Sequence, residues 1–140
     1  MQESLLKGLE PLLLVDASLP DSPMAKALTL VDYNAIACTE QFSGGTPDQT
    51  IISWLGLRNG IWITADERAK REHADEIHKA GINIIWVRRP KEGLSKKAHL
   101  LLLLWVLDPI LGEIKKSRGA AYFLAKYSGA RPKWKRIQPK

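Results

Sequence analysis

Ile61-Trp62-Ile63-Thr64-Ala65-Asp66 is an apolar run that stops at an acid, and its reading decides the fold. Four consecutive residues of this kind suit a strand buried on both faces, as in a parallel sheet. Asn59-Gly60 ahead of it punctuates the chain, and the polar stretch behind it predicts a helix over Asp66–Ala80 closed by Gly81. Leu12-Leu13-Leu14-Val15-Asp16 repeats the pattern nearer the N-terminus. An apolar run ending in a carboxylate is how an α/β sheet carries acids on its rim, where open parallel sheets bind their ligands.

Working outward, Ser22 and Pro23 predict the start of a helix to Leu30, and Tyr33–Cys38 reads as a second strand. Thr39–Thr46, with Gly44-Gly45, reads as a loop. Thr46 as cap, Pro47 at the first position and Gln49 at the third make a capping-box pattern for a helix to about Leu57, and Asp48 sits in its first turn. Ile82–Val87 is a further strand that leaves through Arg88-Arg89-Pro90. A long helix is expected over Ser95–Leu107, broken near Pro109, resuming towards Arg118 and continuing over 119–127. The end of the chain, 128–140, reads as a basic extended tail. Strands alternating with helices predict a single α/β domain over 1–140, three layers deep with a mostly parallel central sheet. Its core is expected over about 11–90, with C-terminal helices over 95–127.

At 140 residues the chain is long enough for one well-buried core. Cys38 is its only cysteine, which excludes an internal disulfide and agrees with a reducing, cytoplasmic setting. Met1–Lys7 lacks the basic start, apolar centre and cleavage site of a signal peptide. Leu100–Leu107 is apolar throughout, but as a helix it spans only about 12 Å against a hydrocarbon layer of roughly 30 Å, so it reads as a core helix, with no membrane span expected.

The net charge of +6 is unevenly spread. Residues 1–87 carry seven Lys/Arg against twelve Asp/Glu, and residues 88–140 carry fourteen against three. An acidic front with a cationic flank suits a phosphodiester substrate, whose backbone charges the bases can neutralise. A soluble protein with a basic tail has the same asymmetry.

The three pieces Val15-Asp16-Ala17-Ser18-Leu19-Pro20, Gly45-Thr46-Pro47-Asp48-Gln49-Thr50-Ile51-Ile52 and Ile61-Trp62-Ile63-Thr64-Ala65-Asp66 come in an order and spacing that resemble the PIN-like nucleases, above all the short VapC-type toxins of toxin–antitoxin pairs. The resemblance covers about residues 11–90. It implies a PIN-like fold and assigns Asp16, Asp48 and Asp66 as ligands of Mg²⁺ or Mn²⁺, with Glu67 as a fourth catalytic acid and Glu72 or Asp75 as alternatives. Members often carry Glu directly after the first aspartate, where this chain has Ala17. They also often carry a further acid and a Phe after the third strand, where this chain has Glu67-Arg68-Ala69-Lys70.

The chemistry explains the residue types. Cleaving a phosphodiester with water needs a nucleophile at neutral pH, in-line alignment and relief of developing charge, all of which carboxylate-held divalent ions supply. Clustered carboxylates repel one another until a cation neutralises them. Each acid also has a plain structural role open to it: Asp48 can complement a helix dipole, Asp66 can cap its helix, and Asp16 can form a turn.

The resemblance implies a metal-dependent endoribonuclease, the toxin of a toxin–antitoxin pair, with RNA and an antitoxin as partners and a homodimer as a common assembly. A non-catalytic nucleic-acid-binding or protein-interaction module on the same scaffold is the alternative. A receiver-like phosphoacceptor ranks last, because its paired acids after the first strand and its late lysine are missing. Arg88 and Arg89 are expected to contact phosphates, together with Lys133, Trp134, Lys135 and Arg136, where Trp134 can stack on a base or anchor the tail. Trp54, Trp62, Trp86 and Trp105 read as packing residues, Cys38 as inert, and Glu72, His73 and His78 as a solvated helix face rather than a zinc site.

Overall fold

Successive residues along each strand of the sheet alternate their side chains between two helical layers, and this alternation organises the molecule. A computed structural model describes residues 11–117 and 119–138, with the side chains of residues 69 and 70 left aside. The stretch Met1–Lys7 and Arg118 lie outside the described residues. The strands are β1 (Leu13–Val15), β2 (Ala35–Ala37), β3 (Ile61–Thr64), β4 (Asn83–Val87), β5 (Tyr122–Ser128) and β6 (Arg131–Ile137). The helices are α1 (Asp21–Leu30), α2 (Cys38–Gln41), α3 (Asp48–Gly56), α4 (Glu67–Glu72), α5 (Ala74–Ala80) and α6 (Lys96–Lys116). The strand order is β2-β1-β3-β4-β5-β6, parallel except for the last pair.

Leu13, Val15, Ile61, Ile63, Ile85, Val87, Phe123 and Ala125 face one way and pack with Met24, Ala25 and Leu28 of α1 and Leu103, Val106 and Leu107 of α6. Leu14, Trp62, Ile84 and Tyr122 face the other way and pack with Ile51, Ile52 and Leu55 of α3 and Ile77 of α5. The period of two in each strand thus builds the expected three-layer α/β/α architecture. Gly60 joins α3 to β3 so tightly that a Cβ there would lie 2.4 Å from Leu55 Cδ2. Gly81 closes α5 in the left-handed region at φ +71°. Among the described residues no helix is long and apolar enough to cross a membrane.

Several sequence-based expectations are corrected. The α1 helix starts at Asp21 behind Pro20, and Ser22 does not cap it but donates to Glu40 Oε1 at 3.0 Å. Pro23 costs no bond there, because the first helical N–H to pair, that of Met24 to Pro20 O, lies just beyond it. Thr46 likewise does not cap α3: its hydroxyl turns back to Ser43 O, and Pro47 occupies the cap position. The expected helix over Asp66–Ala80 is two helices broken at His73.

Helix α6 runs unbroken through Pro109. Both Pro109 and Trp105, whose carbonyl loses its partner to the proline, are exposed, so water can satisfy that oxygen. Trp105 is therefore no packing residue; at 68% exposure it joins Leu101 and Leu104 on an apolar stripe that faces outward.

The largest correction concerns the C-terminus. Residues 122–137 are neither helix nor loose tail but the β5–β6 hairpin that completes the sheet. Gly129, at positive φ, turns β5 into β6, and pairing with β4 overrides the local helix preference. Pro132 is tolerated because β6 is an edge strand.

Candidate functional site

Strand β1 has β2 on one side and β3 on the other, so the chain reverses direction across the sheet at the β1–β3 seam. Crevices open at the carboxyl ends of strands at such a point. Asp16 follows β1 directly, and its N–H continues the ladder to Ile63 O at 2.8 Å. Its position in the alternation places it, like Leu14, on the α3/α5 side of the sheet. Thr64 follows the same alternation from Trp62.

Four donors converge on Asp16. Its Oδ2 accepts from Ser18 N at 3.1 Å, Ser18 Oγ at 2.6 Å and Thr64 Oγ1 at 3.1 Å, and its Oδ1 accepts from Trp62 Nε1 at 3.2 Å. The two hydroxyls are themselves held by the backbone, since Ala65 N–H donates to Ser18 Oγ at 2.9 Å and Asp66 N–H to Thr64 Oγ1 at 3.0 Å. Each hydroxyl has one proton, and each gives it to Asp16. The 3.3 Å approach of Ser18 Oγ to Thr64 Oγ1 is then a contact left over from this arrangement. Two relays, each from backbone N–H through hydroxyl to carboxylate, thereby lock the β1 and β3 rims together.

Asp48 opens α3 and stands 3.5 Å from His73 Nε2 through its Oδ2. Burial raises its carboxyl above the ordinary range; the charges of Asp16, Asp66 and Glu72 add to this, and His73 opposes it. Asp66 caps α4, with Oδ1 accepting from Arg68 N at 3.0 Å and lying 3.6 Å from Arg68 Nε.

Glu67 is not drawn into the group. It is exposed and pairs with Arg71 at 3.8 Å on its own helix. Glu72 is the acid whose charge reaches Asp48. His73, expected on a solvated face, is instead tucked into the α4–α5 junction, its side chain only 18% exposed. Burial, with the charges of Asp16, Asp21 and Asp48, pushes the Cys38 thiol up to about 11, which leaves it inert as a nucleophile.

A carboxylate set that repels itself, supplies only oxygen and lies at a sheet edge suits a hard cation in its chemistry. The arrangement is looser than a finished coordination shell: among the described residues no three His, Cys, Asp or Glu side chains converge closely enough to hold an ion.

Beside the acids lies the cationic flank. Arg88, Arg89 and Lys91, leaving β4, line a cleft of about 380 Å³ that also reaches Ala65 and Glu67 behind β3. The Arg88 guanidinium lies 4.8 Å over the Trp86 ring. The other expected phosphate contacts divide. Lys133 and Lys135 are exposed on one face of β6, while Trp134 is half-buried on the opposite face, packed against the core with its ring 6.1 Å from Phe123. Arg136 shares the Trp134 face and donates to Ser117 Oγ at 2.7 Å.

Ser18, Trp62 and His73 were not singled out as site residues from the sequence. Ser18 had a local signal, lying two residues after an acid in a turn. Trp62 and His73 had none, because their partners are distant in sequence. Comparisons with family models, curated proteins and solved structures returned no match.

Proposed function

We propose that the chain is a divalent-cation-dependent phosphodiesterase acting on RNA, with Asp16, Asp48 and Asp66 as the cation-holding acids. The observation that carries this reading is the placement of Asp16 after β1, Asp66 after β3 and Asp48 at the start of α3, at the switch point of the sheet, with the Asp48 carboxyl raised first by burial and then by the charges of Asp16, Asp66 and Glu72. A cation would relieve that repulsion, polarise a phosphoryl oxygen and lower the pKa of an attacking water.

The chain's own residues do the rest. Ser18, Thr64 and Trp62 orient the Asp16 carboxylate, and Thr64 positions the backbone of Asp66 in the same step. His73 holds Asp48 through the 3.5 Å approach of its Nε2. Arg88, Arg89 and Lys91 neutralise phosphates adjacent to the scissile bond. The resemblance to VapC-type toxins extends the proposal to a toxin–antitoxin setting in the cytoplasm. A cognate antitoxin is then the expected partner, and a homodimer the expected assembly.

A second reading is a non-catalytic RNA-binding module. It draws on the absence of a converged ligand triad among the described residues and on the use of Asp66 as a helix cap. The two readings separate in one experiment. Purified protein is incubated with mixed single-stranded and structured RNA in Mg²⁺ or Mn²⁺ and in EDTA, with Asp16→Asn in parallel. Metal-dependent cutting that disappears in the variant supports the nuclease. RNA binding without cutting in any condition overturns it and leaves the binding module.

A further inference from the structure

The hairpin that the sequence presented as a tail carries a second surface. In β5–β6, Phe123, Ala125 and Tyr127 face α6, as does Trp134 on the partner strand. The other face of the hairpin holds Leu124, Lys126 and Ser128 from β5 and Arg131, Lys133 and Lys135 from β6. On this face Tyr122 and Leu124 are buried and Ile137 is half-buried, whereas Lys126 is half-buried and Ser128, Arg131, Lys133 and Lys135 are exposed.

The register places this face in line with the acids. Thr64 pairs with Trp86, Trp86 with Leu124, and Leu124 with Lys135, so all four stand in one row across the sheet on the side that carries Asp16. One row further toward the carboxyl edge, Arg88 follows β4 beside Lys126, whose cross-strand partner is Lys133. Neighbouring strands are about 4.8 Å apart, so three cations succeed one another at that interval, leading away from the acidic seam. Arg88 and Lys126, with Arg89 and Tyr127, also line a cleft of about 440 Å³ that contains a single acid, Glu92.

Lys126 directly opposite Lys133 is a like-charge pair, which destabilises a hairpin. Such a pair, with Lys133 exposed to solvent, makes sense when a polyanion offsets the repulsion.

We propose that this face, built from Lys126, Arg131, Lys133 and Lys135, is a docking track for the phosphate backbone of RNA, continuous with Arg88 and the acidic edge. The occupant rests on the phosphodiester reading above; the cationic track rests on the register alone. Two members of the expected basic cluster are excluded from it, because Trp134 and Arg136 point to the other side of the sheet. Binding here is backbone-directed and sequence-tolerant, and the acids select where the strand is cut.

The test measures binding without cleavage. A labelled single-stranded RNA is titrated in EDTA over a series of salt concentrations against the wild type, Arg131→Gln/Lys133→Gln/Lys135→Gln, and Lys96→Gln/Lys115→Gln/Lys116→Gln. The last is a control that removes the same charge from exposed positions on α6. The hairpin variant is expected to bind at least tenfold more weakly and to flatten the log–log salt dependence by about 2, from roughly 0.7 per lost contact. The control is expected to change affinity less than threefold.

Equal losses in both variants would reduce the effect to net charge and overturn the track, as would an unchanged hairpin variant. Wild-type protein that ignores RNA but binds polyglutamate through these lysines would overturn the occupant. Lys126→Gln adds an independent readout: a higher melting temperature without RNA, from relief of the Lys133 repulsion, together with weaker binding. Binding is read in EDTA, where no cation-dependent cleavage occurs, so a failure of catalysis leaves this result standing and a failure of the track leaves the acidic edge untouched.

Discussion

The indole N–H of Trp62, a residue 1% exposed in the core beneath α3, donates to Asp16 Oδ1 at 3.2 Å. A ring that packs the interior thereby fixes the orientation of a rim carboxylate 46 positions away in sequence. Trp62→Phe keeps most of the packing and removes the donor. A hydrogen bond to a charged group contributes about 1.5–3 kcal/mol, so denaturant unfolding should report a loss of that order plus a small cavity term. In a double-mutant cycle with Asp16→Asn, a coupling of about 1–2 kcal/mol is expected. Strict additivity would mean that the indole serves packing alone.

Asp48 carries the pH dependence. Its carboxyl is raised, first by burial and then by Asp16, Asp66 and Glu72, so the folded protein holds that proton more tightly than the unfolded chain. Stability from this group is fully present below the unfolded carboxylate pKa and is lost as pH rises through the raised folded value. Asp48→Asn cannot suffer this loss. Its melting temperature relative to wild type should climb from acidic to neutral pH in EDTA, as read by calorimetry. Millimolar Mg²⁺ should raise the wild-type midpoint more than that of the variant. A difference flat in pH and indifferent to Mg²⁺ would dissolve the shared field on which the cation reading stands.

Thr64 is the joint between two acids, donating to Asp16 and accepting from the backbone of Asp66 while 1% exposed. Thr64→Val preserves shape but strands the Asp66 N–H and strips a donor from Asp16. About 1–3 kcal/mol of stability should be lost, and any RNA cleavage should fall with it. Thr64→Ser should restore most of both. Equal behaviour of Val and Ser would remove the hydroxyl from the account of the site.

The parts readable from sequence were those whose signals are local. An apolar run ending at an acid placed β1 with Asp16 and β3 with Asp66 at the correct ends of parallel strands, and Pro47-Asp48 placed the third acid at a helix start. What held these acids was only partly readable: Ser18 bonds Asp16 from two residues away, but Trp62 and His73 act on partners distant in sequence, across the sheet or between helices. The hairpin was missed for a different reason. The basic residues of 131–136 outweighed the alternation of exposed Lys133 and Lys135 with half-buried Pro132 and Trp134, which is a strand period in plain view. Pro109 misled in the opposite sense: a proline removes one helix bond and crowds the carbonyl four residues back, yet on an exposed face a long, well-packed helix continues through it.

Gly60 tests how tightly the site's foundation is packed. Its N–H donates to Leu55 O at 2.9 Å, and an added methyl would meet the fully buried Leu55 side chain at 2.4 Å. Gly60→Ala should therefore cost about 1–3 kcal/mol through overpacking at the α3–β3 joint. An unchanged midpoint in urea would show that Leu55 repacks without strain.

Trp134 discriminates between two uses of the C-terminal basic segment. Its half-buried ring sits with the α6-facing core, close to Phe123, while Lys133 and Lys135 point away on the opposite face. Trp134→Ala should lower stability by about 2–3 kcal/mol, less than for a fully buried tryptophan. At a temperature where the variant stays folded, its affinity for RNA should remain within about twofold of wild type. Stacking on a base predicts the reverse, a binding loss of about 1–3 kcal/mol with stability intact, and that result would move the contact surface to the other side of the sheet.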